Sequence, residues 1–151
     1  MGCRLVSEEA LAKSFPYLSK EECKGLCNYL EYRKCTKDEV FIHQGDPGDF
    51  MGFLLTGKMA IKKETSFPGK FVLVALLEGG SLVGEISVVE ANLRTATVVA
   101  MEESEVLILT HAKSEQLLTE NPLLAIKLLK KIVRVLGARL QQSSSRLVRL
   151  L

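Results

Sequence analysis

The stretch GEISVVEANLRTAT, Gly84 to Thr97, sets a Gly-Glu pair and an arginine nine positions apart within a chain otherwise rich in apolar, β-forming segments. A carboxylate such as Glu85 accepts a hydrogen bond from a sugar hydroxyl, and Arg94 presents a planar fork of donors that matches two oxygens of a phosphate. A ribose cyclic phosphate is a small ligand class that needs both. Gly84 follows a turn-rich EGGSLV segment, and Glu85-Ile86-Ser87-Val88 has room for one helical turn that aims its amides outward at an anion. Glycine lets a phosphate approach the backbone closely. Thr95 adds a hydroxyl beside Arg94. Taken singly, either charged residue reads as half of a surface ion pair of little energetic weight; it is their joint arrangement that points to a site.

Outward from this stretch, the pattern between Tyr32 and Thr110 is one of short apolar runs separated by turn residues: VFIH, GDPGD, FMGFLLTGK, MAIKKE, FPGK, FVLVALL, EGG, ATVVA and EVLILT. Short strands at such spacing predict a β-sandwich or barrel. In FVLVALL and EVLILT both alternating faces are apolar, which predicts strands covered on both sides. Helical signals flank the strands. Ser7 opens SEEALAKS, and Ser19 with Glu22 makes a capping box. Beyond Thr110, HAKSEQLLTE reads as one helix, and Asn121-Pro122 supplies the N-cap and first-turn proline of another. Ala125, Leu129, Ile132, Leu136, Leu140, Leu147 and Leu151 recur every three or four residues along that last helix. A helix of thirty residues reaches about 45 Å and overhangs a small domain, so its distal apolar stripe predicts a homodimer through the same helix of a second subunit. The fold class expected is α+β, in one unit over residues 1–151: N-terminal helices over 1–31, a β-barrel over 32–110 and C-terminal helices over 111–151.

Composition narrows the remaining classes. With 47% hydrophobic and 25% charged residues the chain is ordinary for a water-soluble protein. No uncharged apolar run approaches the roughly eighteen residues of a membrane span. Arg4, Glu8 and Glu9 break any signal-peptide core, and Val6 stands where acylation at Gly2 wants serine or threonine. Cys3, Cys23, Cys27 and Cys35 form no CxxC pair; they read as unpaired small hydrophobes in a reduced, cytoplasmic setting. Residues 1–120 carry 13 basic and 18 acidic groups, whereas residues 121–151 carry 7 basic and no acidic group. That cationic tail reads as a complement to the acidic body and to its own helix dipole rather than as a nucleic-acid or membrane surface, since it has no aromatic residue to stack or anchor.

GEISVVEANLRTAT resembles the phosphate-binding cassette of cyclic nucleotide-binding domains, the module of catabolite activator proteins, protein kinase A regulatory subunits and nucleotide-gated channels. FIHQGDPGDFMGFLLTGKMAI resembles that family's first strands and glycine-marked hairpin, and the helices that follow resemble its lid, so the likeness covers about residues 19–140. It implies an eight-stranded antiparallel jelly-roll barrel flanked by helices, with cAMP or cGMP bound inside. Carried over by position, Glu85 takes the ribose 2′ hydroxyl, Arg94 the cyclic phosphate, and the backbone of Gly84, Glu85, Ile86 and Ser87 its other oxygens. Thr95 and Ala96 continue the site, and Val83 and Leu93 replace a phenylalanine and a proline common in the family. The base is expected against Val72 and Val74 and under the last helix near Arg139 or Leu140. The resemblance implies a sensor that moves its C-terminal helix. It implies neither catalysis nor direct DNA reading, since only Leu151 follows the helix. The competing readings are a ligand-free barrel serving as an interaction module and a cupin-like metalloenzyme. For the latter, His43 and His111 are too few and too far apart.

Overall fold

Among the described residues the strand pairings are all antiparallel and fall into two sheets of four. The computed structural model describes residues 2–85 and 92–151. Eight strands alternate with turns: β1 (Glu31–Cys35), β2 (Val40–Ile42), β3 (Phe50–Thr56), β4 (Lys58–Glu64), β5 (Phe71–Glu78), β6 (Leu82–Val83), β7 (Thr97–Ala100) and β8 (Ser104–Thr110). One sheet runs β1-β8-β3-β6 and the other β2-β7-β4-β5. Strand pairing does not close the two sheets into a barrel among the described residues, so the barrel expectation is replaced by two sheets with a core between them.

The helices form where their caps are written. α1 (Glu8–Ser14) begins at Ser7, whose hydroxyl accepts from the Ala10 amide at 3.1 Å. α2 (Lys20–Cys27) carries the capping box: the Ser19 amide donates to Glu22 at 2.9 Å and the Glu22 amide to Ser19 at 3.1 Å. α3 (His111–Glu120) is capped by Thr110. Asn121 caps α4 (Pro122–Leu150) by accepting from the Leu124 amide at 3.3 Å, with Pro122 in the first turn, where its missing N–H removes no helical bond.

Two apolar clusters share the β1-β8-β3-β6 sheet as their common wall. Between the sheets lie Phe41, Leu54, Met59, Val98, Val106 and Ile108. On the outer face, Met51, Phe53, Leu107 and Leu109 pack against Phe15, Leu26, Leu117, Leu124, Leu128 and Ile132 of the helical layer. The double apolar face of EVLILT is thus used as expected, since successive residues of β8 serve opposite clusters. FVLVALL behaves otherwise: Phe71, Val72, Leu73, Val74 and Leu76 are exposed. Strand order explains the difference. β5 is the outermost strand of its sheet, with β4 as its paired neighbour, and most of its apolar side chains are left exposed.

Cys23 and Cys35 are free and buried, and burial raises the Cys35 thiol to about 11, helped by the hydrogen bond the thiol donates to the Glu39 carboxylate. Cys27 is disulfide-bonded, which corrects the expectation of unpaired thiols at that position; the N-terminal turn at Gly2–Leu5 folds back onto β1 just beyond α2. Among the described residues no helix is long and apolar enough to cross a membrane.

Candidate functional site

Glu85 stands two residues beyond the end of β6, so the pairing of Gly52 and Phe53 with Val83 and Leu82 brings it to the end of the first sheet. Its side chain is buried, at 7% exposure. A buried carboxylate needs a partner, and it has one from across the fold. Arg139 of α4 donates through Nη1 to Glu85 Oε1 and through Nη2 to the Leu82 carbonyl at 2.7 Å. The two bonds tie the middle of the long helix to the entry of the 84–97 stretch.

Arg94 arrives from the opposite side. Its backbone is pinned before β7: the Arg94 amide donates to the Asp46 carbonyl at 2.8 Å, the Gly45 amide donates to the Arg94 carbonyl at 2.8 Å, and Leu93 bridges Pro47. Its guanidinium donates to the Phe50 carbonyl and lies over the Phe50 ring, 4.7 Å from the centroid. Burial pulls the Arg94 pKa below the usual arginine value, while Asp49 and Glu85 pull it back up. An arginine stays charged through any such shift at ordinary pH. The site therefore holds a fixed, half-buried cation.

Gly84 is required where these pieces meet. Its φ of +68° lies in the left-handed region, and a Cβ there would collide with the Arg94 guanidinium and sit 3.3 Å from the Phe50 carbonyl oxygen. The sequence places glycine where the backbone must let the arginine pass.

Val83, Gly84, Glu85, Arg94, Thr95, Ala96 and Arg139 all line one cavity of about 300 Å³, at the lower end of the range usual for small-molecule sites. Its apolar wall comes from Ile42, Ile61, Leu82 and Val98. Val72 and Val74 are not brought to it. Val72 pairs with Lys63 on the exposed edge, and Val74 falls at the irregularity where the β4–β5 register shifts. Ile86 and Ser87, expected to offer backbone amides, lie outside the described residues. Several contributors went unread in the sequence: Phe50 beneath Arg94, the Leu82 carbonyl under Arg139, and Ile61 with Lys63, whose spacing of two on β4 puts both on the cavity side. That last spacing was the one available signal. His111 heads α3, as its place after Thr110 suggested, and the described residues contain no group of three or more His, Cys, Asp or Glu arranged to hold a metal ion.

The arrangement can hold a compact anion beside Arg94 and a hydroxylated ring beside Glu85, with an apolar wall for a flat group. Comparison with known proteins agrees with that chemistry. The Cyclic AMP receptor protein of Thermus thermophilus is 30% identical over 120 residues, which are 80% of this chain and 55% of that protein. The chain thus spans about half the length of that relative. Among solved structures, a cyclic nucleotide-binding domain from Methylobacillus flagellatus superposes with a TM-score of 0.90 at 26% identity, covering 99% of this chain and 86% of that one. The Catabolite Activator Protein of Thermus thermophilus superposes with a TM-score of 0.74 at 29% identity, covering 91% and 62% respectively. The family described as "Cyclic nucleotide-binding domain" matches residues 32–121, more than half of the sequence, and the chain belongs to that family.

Proposed function

We propose that this chain is a regulatory sensor that binds cAMP or cGMP in the cavity between Glu85 and Arg94 and reports the event through α4. The observation that carries the reading is that one cavity is lined at once by a half-buried guanidinium, a buried carboxylate and an arginine from the long helix. The relatives named for cyclic AMP support the ligand class. The two-sheet strand order supports a jelly roll enclosing the cavity within one unit over residues 1–151.

In this reading the cyclic phosphate takes the guanidinium fork of Arg94, now turned to the Phe50 carbonyl, and the ribose 2′ hydroxyl donates to Glu85. The purine lies against Ile42, Ile61 and Val98 in place of Val72 and Val74. A hydroxyl on Glu85 competes with Arg139 for the same carboxylate, so the ligand binds better when α4 has shifted. That difference in affinity is what moves the equilibrium between helix positions. The output then passes along α4 to a second subunit or an effector, with no chemistry performed on the ligand.

Calorimetry with cAMP and cGMP tests the proposal. Saturable binding of either nucleotide, weakened more than tenfold by Arg94→Ala, is the expected result. Absence of binding by the parent chain would leave the ligand-free interaction module as the better reading.

A further inference from the structure

The hairpin of β4 and β5 carries an apolar surface that the fold leaves in water. Phe67 of its turn and Phe71, Val72, Leu73 and Leu76 of β5 are each 53–67% exposed. Single apolar residues are ordinary on a protein surface, but this many large ones in one hairpin mark a contact surface. Successive side chains of a strand point to opposite faces, so Phe71 and Leu73 leave one face of β5 and Val72 the other. A partner strand laid along the edge would cover neither face. It would also meet an interrupted edge: the register shift between Ile61 and Lys62 leaves Val74 out of the β4 pairing, and such a bulge breaks the even row of donors and acceptors that strand addition needs. A medium that surrounds the hairpin covers both faces and the turn at once.

The turn is suited to such a medium because its backbone donors are already spent. The Thr65 amide donates to the Lys70 carbonyl at 2.8 Å, the Lys70 amide to the Phe67 carbonyl at 3.1 Å, the Phe67 amide to Thr65 Oγ1 at 3.2 Å and the Gly69 amide to Glu64 Oε1 at 2.9 Å. Pro68 has no amide to satisfy. Backbone groups paired in this way cost little to take out of water. The charges agree. Lys62, Lys63 and Lys70 stand at this end of the hairpin, where its one acidic residue is Glu64, while Lys58 and Glu78 face each other at the far end. Lys70 Nζ lies over the Phe67 ring, 5.8 Å from the centroid. An aromatic turn ringed by lysines complements an anionic surface, since lysine stems lie along apolar matter while their ammonium groups stay in water.

We propose that the β4–β5 hairpin docks this chain on an anionic phospholipid surface, with Phe67, Phe71 and Leu73 entering the boundary between headgroups and acyl chains and the lysines meeting the lipid phosphates. The chain lies on the bilayer and does not cross it. Docking does not itself rest on nucleotide binding.

Flotation of the full chain with vesicles of equal parts phosphatidylcholine and phosphatidylserine should recover it with the lipid. Rising salt, or vesicles of phosphatidylcholine alone, should release most of it. Phe67→Ser combined with Leu73→Ser should lower partitioning roughly tenfold or more, and Lys70→Glu should weaken it, while Leu123→Ser, an exposed apolar residue of α4, should leave it unchanged. The chain has no tryptophan, so Phe67→Trp reports the surroundings of the turn, and its emission should shift to the blue with the mixed vesicles. Absence of flotation overturns the proposal, as does flotation that survives the loss of Phe67 and Leu73, or an unshifted Phe67→Trp. So does a chain that ignores vesicles yet sediments as a dimer that Leu73→Ser splits, which would assign the strand to a second copy. All of this is read without nucleotide, so failure here and failure of the ligand reading are told apart.

Discussion

Arg139 and Glu85, 54 residues apart in the chain, share an ion pair in which the guanidinium also holds the Leu82 carbonyl. The carboxylate is buried and the guanidinium about one-third exposed. Removing the cation leaves a buried charge unpartnered, so Arg139→Ala should lower stability by about 1–3 kcal/mol, less than for a fully buried pair because water reaches the arginine. Protease cleavage in α4 should also cease to respond to nucleotide. Chemical denaturation and limited proteolysis with and without cAMP check the two parts; a ligand-responsive helix in the variant would detach Arg139 from the signal.

Arg94→Ala should weaken nucleotide binding by about 2–5 kcal/mol, the scale of a buried charge losing its partner. Arg94→Lys should recover little of it, because a lysine ammonium cannot form the two-pronged bond to phosphate oxygens. Calorimetry reads both, and an unchanged dissociation constant in the alanine variant removes Arg94 from the site.

Glu85→Ala should weaken a ribose ligand more than its 2′-deoxy analogue. A double cycle over side chain and hydroxyl should give a coupling of about 0.5–3 kcal/mol. Simple additivity would mean that Glu85 and the hydroxyl do not touch.

Gly84→Ala should cost about 1–2 kcal/mol of stability through its left-handed φ alone, and it should also displace Arg94, whose guanidinium occupies the space a Cβ needs. The expected signature is a lowered Tm, by roughly 2–4 °C per kcal/mol in a chain of this size, together with weaker nucleotide binding. A variant that binds as the parent does would show that the arginine re-seats freely.

Tyr17 and Tyr32 are both pushed up to about 12, Tyr17 by burial and then by the nearby Cys23, and Tyr32 by donating its hydroxyl to Glu105 at 2.5 Å and then by burial. Phenols with a raised folded pKa stabilise the fold fully below pH 10, and that contribution fades as pH climbs from 10 to 12. Glu105 moves the other way, lowered first by the Tyr32 hydroxyl and then by Thr56. Its contribution is present above the ordinary carboxylate range and is lost as pH falls through the lowered value. Absorbance at 295 nm should therefore show tyrosine ionisation lagging behind that of the denatured chain and arriving with unfolding. Tyr32→Phe should flatten both the alkaline and the acid limbs of stability.

Signals that lie within a few residues were legible without coordinates. The Ser19–Glu22 box, the Asn121-Pro122 start of α4 and the two-faced apolar run of β8 are local statements about backbone donors and side-chain alternation, and the folded chain uses each as expected. Glu85 and Arg94 stood out for the same reason, as two charged groups that follow Gly84 within one short stretch, and the folded chain lines one cavity with all three.

Strand order was not. FVLVALL has the composition of a covered strand, and only the sheet topology makes it an edge with its valines turned to solvent, because which strand lies outermost depends on pairings between distant segments. The same is true of the cavity's closure. Phe50 under Arg94 and Arg139 on Glu85 are contacts across 44 and 54 residues, created when the helical layer and the two sheets pack together. By itself the sequence determined which charged side chains one short glycine-led stretch carries; the tertiary structure decided that a helix 54 residues away would hold one of them, because a buried carboxylate takes whatever cation the packed fold delivers to it.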